Sequence, residues 1–93
     1  MTEESLFELL SLECRTGRNG TVYYHNEQGY LHRVHGPAVK YADGTHAWYQ
    51  NGQMHRLDGP AIEYPDGDRS WYINGIVLTE AAWQQAVASV ETV

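Results

Sequence analysis

His32-Arg33-Val34-His35-Gly36-Pro37-Ala38 opens a block that closes on Trp48-Tyr49-Gln50-Asn51-Gly52. Twenty-three residues further on the chain repeats itself, from His55-Arg56-Leu57-Asp58-Gly59-Pro60-Ala61 to Trp71-Tyr72-Ile73-Asn74-Gly75. Twelve of the 23 paired positions are identical, and others exchange like for like, as Val39 with Ile62. A partial copy precedes the two, Asn19-Gly20-Thr21-Val22-Tyr23-Tyr24 and then Gly29-Tyr30-Leu31-His32, off register by a residue or two and without the Gly-Pro step. A short fixed period means that no unit buries its own apolar face, so each needs a neighbour.

The turns inside the repeat say what each unit is. Asp43-Gly44, Asn51-Gly52, Asp66-Gly67 and Asn74-Gly75 each stand between strand-like runs. Such pairs are the strongest two-residue hairpin signals, because a type I′ turn needs positive φ at both central positions. Pro37 and Pro60 open strands, where a missing N–H does least harm. The spacing predicts an antiparallel meander. With two-residue loops throughout, Ala42 faces Thr45, Val39 faces Trp48, Tyr41 faces His46, and Trp48 faces His55. One face then carries Val39, Tyr41, Trp48, Ile62, Tyr64, Trp71, Ile73 and Ile76, and is the expected core. The other carries Ala38, Lys40, Ala47, Tyr49, Arg56, Ala61, Glu63, Ser70 and Tyr72, and is expected to be wet, since Lys40 and Glu63 lie on it. A slip of one residue would exchange the two faces.

Helices are expected to flank the sheet. Thr79 suits an N-cap with Glu80 in the first turn, and Trp83, Ala86, Val87 and Val90 recur at helical spacing. At the other end Thr2 or Ser5 is placed to cap a short helix through Leu6, Phe7, Leu9 and Leu10, with a strand as the alternative. Both act as lids on an open repeat. The expectation is a single mainly β, small α+β domain over 1–93: a terminal segment 1–14, a repeat meander 19–78 and a C-terminal helix 79–91.

Composition narrows the function. Net charge is −6, yet residues 15–75 hold six acids and six bases, so the excess sits at the two ends. A neutral repeat body is no basic nucleic-acid patch, and nucleic acid is not an expected partner. Cys14 is the one cysteine; no internal disulfide is expected, and a reducing compartment, the cytoplasm, is. Neither an export signal nor a membrane-spanning run is read from the sequence.

The pattern His-Arg-x-Asp-Gly-Pro-Ala, then Asp-Gly, then Trp-Tyr-x-Asn-Gly, closed by Leu78-Thr79-Glu80 and a short helix, resembles small tandem-repeat proteins of bacteria and their phages. These are similar in period to MORN repeats and to MORN-variant antitoxin components. The resemblance covers roughly residues 19–83. It implies a bacterial or phage lineage and, in its concrete form, a phage-encoded inhibitor of a host defence protein acting in the bacterial cytoplasm, with an antitoxin-like repeat protein as the alternative. The usual MORN glycine spacing is absent, so membrane roles are not carried over. Residues 21–31 also look like an aromatic cell-wall-binding repeat of the kind that holds choline, but the following glycine-tryptophan pair is missing.

Each candidate residue has a plainer reading beside the functional one. His32 and His35 are spaced as metal ligands are, and His55 with Asp58 repeats the arrangement, but zinc needs three or four converging groups. Periodic positions serve the fold, and no metal or other cofactor is expected. Arg33 and Arg56 are expected either to pair within their loops or to meet a partner's carboxylates. Trp48 and Trp71 are read as core, and Cys14 as a packed side chain. Tyr49 and Tyr72, on the wetter face beside Lys40 and Arg56, have the composition of interface anchors. Tyr49, Tyr72, Arg33, Arg56 and Lys40 therefore make up the expected interaction surface. No nucleophile elbow or phosphate loop is present. The expected function is a non-enzymatic protein-binding module, able to form a homodimer through an open strand edge or the flanking helices, with an aromatic small-ligand or carbohydrate binder as the other reading.

Overall fold

The computed structural model describes residues 12–91, except for the side chains of residues 90 and 91. The expected N-terminal helix and the Val90 contact lie outside this description. Among the described residues, nine short strands and one helix follow in order: β1 (Glu13–Thr16), β2 (Val22–His25), β3 (Val39–Lys40), β4 (His46–Ala47), β5 (Tyr49–Gln50), β6 (Gln53–Met54), β7 (Ile62–Glu63), β8 (Arg69–Ile73), β9 (Ile76–Leu78) and α1 (Glu80–Glu91). Seven strands form one antiparallel sheet in the order β1-β2-β3-β4-β7-β8-β9, and β5-β6 form a second, two-stranded one. The protein is the mainly β meander with a C-terminal helix that the repeat predicts. Because β1 includes Glu13 and Cys14, the sheet starts inside the stretch assigned to the terminal segment, and Cys14 is exposed rather than packed.

The two kinds of turn behave differently. Asn51-Gly52 and Asn74-Gly75 have positive φ at both residues (50° and 82°, 49° and 81°). They close two-residue hairpins with Gln50 opposite Gln53 and Ile73 opposite Ile76. The Asp-Gly pairs do not. Only Gly44 and Gly67 are left-handed there. The Tyr41 N–H donates to the Thr45 carbonyl at 2.8 Å, and the Tyr64 N–H to that of Asp68 at 2.9 Å. Each loop thus holds three residues, a turn ending in a left-handed glycine. The aspartate supplies the reason. Asp43 Oδ1 accepts from the Thr45 N–H at 2.8 Å and Asp66 Oδ1 from the Asp68 N–H at 3.0 Å, a side-chain turn that holds the loop one residue wider.

That extra residue corrects the expected register. Val39 faces Ala47, not Trp48, and Lys40 faces His46. Residues paired across strands share a face. One row therefore runs Tyr23, Val39, Ala47, Ile62, Ser70 across the sheet, and the other runs Val22, Lys40, His46, Glu63, Arg69. The first strand of each unit keeps the expected face; the second strand is inverted. Val39, Ala47 and Ile62 are the buried centre, with Tyr23, Leu31, Tyr49, Met54 and Tyr72 packed against it. Tyr49 and Tyr72 belong to this apolar face, and the tryptophans lie on the other one.

The ladder is interrupted at Trp48, between β4 and β5, and the β5-β6 hairpin sets up a second row of repeating contacts. The Gly52 N–H donates to the Leu31 carbonyl at 2.9 Å, and the Gly75 N–H to that of Met54 at 2.8 Å. The Arg33 and Arg56 N–H groups donate to the Tyr49 and Tyr72 carbonyls at 3.0 and 3.3 Å. Each unit is tied to the next by the same bonds, 23 residues apart.

Helix α1 packs against β8 and β9. Thr79 Oγ1 accepts from the Ala82 N–H at 3.1 Å, the expected cap. Trp83, 8 % exposed, packs on Trp71 with ring centroids 4.6 Å apart, and its Nε1 donates to the Arg56 carbonyl at 2.9 Å.

Candidate functional site

The five residues of the expected interaction surface do not form one patch. Arg33 and Arg56 turn inward to their own units. The Arg56 guanidinium lies 3.8 Å from the Trp48 ring centroid, Nη1 donates to the Pro60 carbonyl at 3.0 Å, and Nε meets Asp58 Oδ1 at 2.8 Å. Its side chain is 18 % exposed. Arg33 repeats the arrangement on Tyr24 at 4.1 Å, with a longer bond of 3.4 Å to the Pro37 carbonyl. The glycines before the prolines make room for this. A Cβ on Gly59 would sit 2.7 Å from the Arg56 Cζ, and one on Gly36 2.9 Å from that of Arg33. Lys40 stays on the polar face, opposite Val22 on one side and His46 on the other.

The histidines are likewise part of the scaffold. His32 Nδ1 accepts from the Asn51 N–H and His55 Nδ1 from the Asn74 N–H, both at 3.0 Å. Each histidine thus holds the Asn-Gly turn of the next hairpin. Burial lowers the His55 pKa from its ordinary value, in keeping with an imidazole that must stay neutral at Nδ1 to accept that bond. Among the described residues, no group of three or more His, Cys, Asp or Glu is placed to hold a metal ion.

Two other features of the surface stand out. The first is the β9 edge. Ile76 and Val77 are 64 % and 62 % exposed, and among the described residues β9 pairs only with β8. At the far edge β1 carries Glu13 and Arg15, paired at 3.0 Å, the charged kind of edge that discourages strand addition. The second is a groove of about 320 Å³ on the apolar face, between the two Asp-Gly hairpins, with Ala47, Ile62 and Met54 as its floor, Tyr41 and Tyr64 as its walls and Asp43 at the rim. The hairpin tips are neighbours: a Cβ on Gly44 would lie 3.5 Å from Pro65. The Tyr49 phenol is pushed above its ordinary pKa by burial first and by the neighbouring Tyr41 second. Back-to-front register hid this groove from sequence reasoning. The signal for it was present in the 23-residue spacing of Tyr41 and Tyr64, two aromatics on the same strand position of successive units.

Comparison with family models, curated proteins and solved structures finds no match for the chain. The described residues include no helix long and apolar enough to cross a membrane. By its fold the chain is, over the described residues, a small antiparallel meander with a C-terminal helix.

Proposed function

We propose that this protein is a non-enzymatic protein-binding module that takes on its partner by strand addition at β9. The observation that carries the reading is the exposed, uncharged Ile76-Val77 edge. The repeat supplies the logic. Leu31 and Met54 each offer an outward carbonyl that receives the glycine N–H of the following unit. Val77 is the next residue in that series, 23 positions after Met54, and it pairs with Tyr72 as Met54 pairs with Tyr49. Its carbonyl therefore points away from β8, ready for an incoming strand.

A second copy of this chain or a different protein are the two partners such an edge accepts. The resemblance to bacterial and phage repeat proteins favours a bacterial cytoplasmic target, a defence-system component in the inhibitor reading or a toxin in the antitoxin reading. Stable capture of one protein from bacterial lysate, together with sedimentation of the isolated chain, is the test. Wild type is expected to capture a partner or to dimerise, and Val77→Lys to do neither. Equal behaviour of the two chains would remove the edge from the account.

A further inference from the structure

The groove between the Asp-Gly hairpins has the chemistry of a site for an ammonium group. We propose that it receives the side chain of a lysine, bare or methylated, presented by a partner protein, with the alkyl stem on Ala47, Ile62 and Met54 and the charged head between Tyr41, Tyr64 and Asp43. The inference rests on the protein-binding reading above.

Four observations converge on it. Tyr41 and Tyr64 are 41 % and 40 % exposed, so ring surface is open to a ligand, and a phenol ring attracts a cation over its face. The floor is apolar and suits a four-carbon stem, the part of lysine that packs while its head stays polar. Asp43 places a carboxylate at the rim, and no lysine or arginine lines the groove. Asp68 stands opposite Tyr64 across the second hairpin and adds a second negative charge to the same face. Four of the protein's six bases are engaged elsewhere: Lys40 and Arg69 belong to the opposite face, and Arg33 and Arg56 are folded onto Tyr24 and Trp48. The volume of about 320 Å³ is enough for one such side chain. An anion or a sugar would find neither a cation nor a fan of donors here.

The test titrates the whole chain with acetyl-Gly-Gly-Lys-Gly-Gly-amide, its trimethyllysine form and its norleucine form, read by the ring resonances of Tyr41 and Tyr64. The two cationic peptides are expected to shift both rings saturably, and the neutral norleucine peptide to bind roughly tenfold more weakly. Asp43→Asn keeps the oxygen that accepts the Thr45 N–H, so it removes the charge and spares the turn; it is expected to weaken the cationic peptides by roughly threefold to tenfold and leave the norleucine peptide unchanged. Tyr64→Leu, on an exposed position, is expected to weaken them similarly. Equal binding of lysine and norleucine peptides, or shifts away from Tyr41 and Tyr64, would overturn the proposal. Choline binding as tightly as the trimethyllysine peptide would also overturn it, in favour of a free organic cation. Failure of the peptides to bind with capture through Val77 intact would remove the ammonium site and leave the edge reading standing, whereas peptide binding with capture unchanged in Val77→Lys would remove the edge and leave the groove.

Discussion

Arg56 shows how a residue that looks like a contact for a partner can be consumed by the fold. One guanidinium stacks on Trp48, bonds the Pro60 carbonyl and meets Asp58 and, at 3.6 Å, Glu63. A planar fork is needed for the stack and the bonds together, and lysine lacks it. Arg56→Ala is expected to lower stability by about 2 kcal/mol in urea denaturation, the sum of a stack and a part-buried bond. Arg56→Lys should recover less than half of that loss. His55 adds a pH term. Its folded pKa lies below the ordinary 6.5, so the unfolded chain takes up the proton first as pH falls. The contribution of the neutral imidazole is complete above the unfolded value, declines as pH drops below about 6.5, and levels off beneath the folded value. The urea midpoint is expected to fall between pH 7.5 and pH 5, and His55→Gln should flatten part of that slope.

The element that decides the faces is the Asp-Gly hairpin. Asp43→Ala removes the acceptor for the Thr45 N–H and is expected to lower the thermal midpoint, while Asp43→Asn is expected to hold it. The Asn-Gly hairpins depend on backbone freedom instead. Gly75→Ala places a Cβ on a residue with φ of 81° and should cost about 1–2 kcal/mol. Helix α1 acts through Trp83. In the interior an arginine packs on the ring eight residues before it, Arg56 on Trp48. The corresponding partner of Trp71 is Thr79, too short to reach over an indole, and Trp83 takes the place instead. Trp83→Ala is expected to cost about 3–5 kcal/mol by chemical denaturation. Trp83→Phe keeps a ring but loses the bond to the Arg56 carbonyl, for about 1 kcal/mol.

At the scale of the whole molecule the two ends of the sheet differ in kind. β1 is guarded by an ion pair and β9 shows bare aliphatic side chains. Among the described residues, the β1 edge is the charged one and the β9 edge the aliphatic one. The charge follows a related division. The repeat body is neutral and the acids outnumber the bases only outside it, so a basic partner would be drawn to the ends and to the Asp43 rim, and its association is expected to slow as ionic strength rises. Val77→Lys should leave the urea midpoint within about 0.5 kcal/mol of wild type, as exposed positions do, while changing what the edge binds.

What the sequence determined by itself is everything local. The 23-residue period, the places where the chain reverses, the type I′ geometry of Asn51-Gly52 and Asn74-Gly75, the Thr79 cap and the antiparallel order all follow from residues acting on their immediate neighbours. What only the tertiary structure decided is which side of each second strand is dry. Asp-Gly fits a two-residue loop and a three-residue loop equally well, and the choice moves every following side chain to the opposite face. The structure settles on the wider loop, where the Asp43 carboxylate satisfies the Thr45 N–H and Ala47 can sit between Val39 and Ile62. That single residue sends Tyr49 and Tyr72 into the core, gives Trp48 to Arg56, and leaves Tyr41 and Tyr64 standing over a groove.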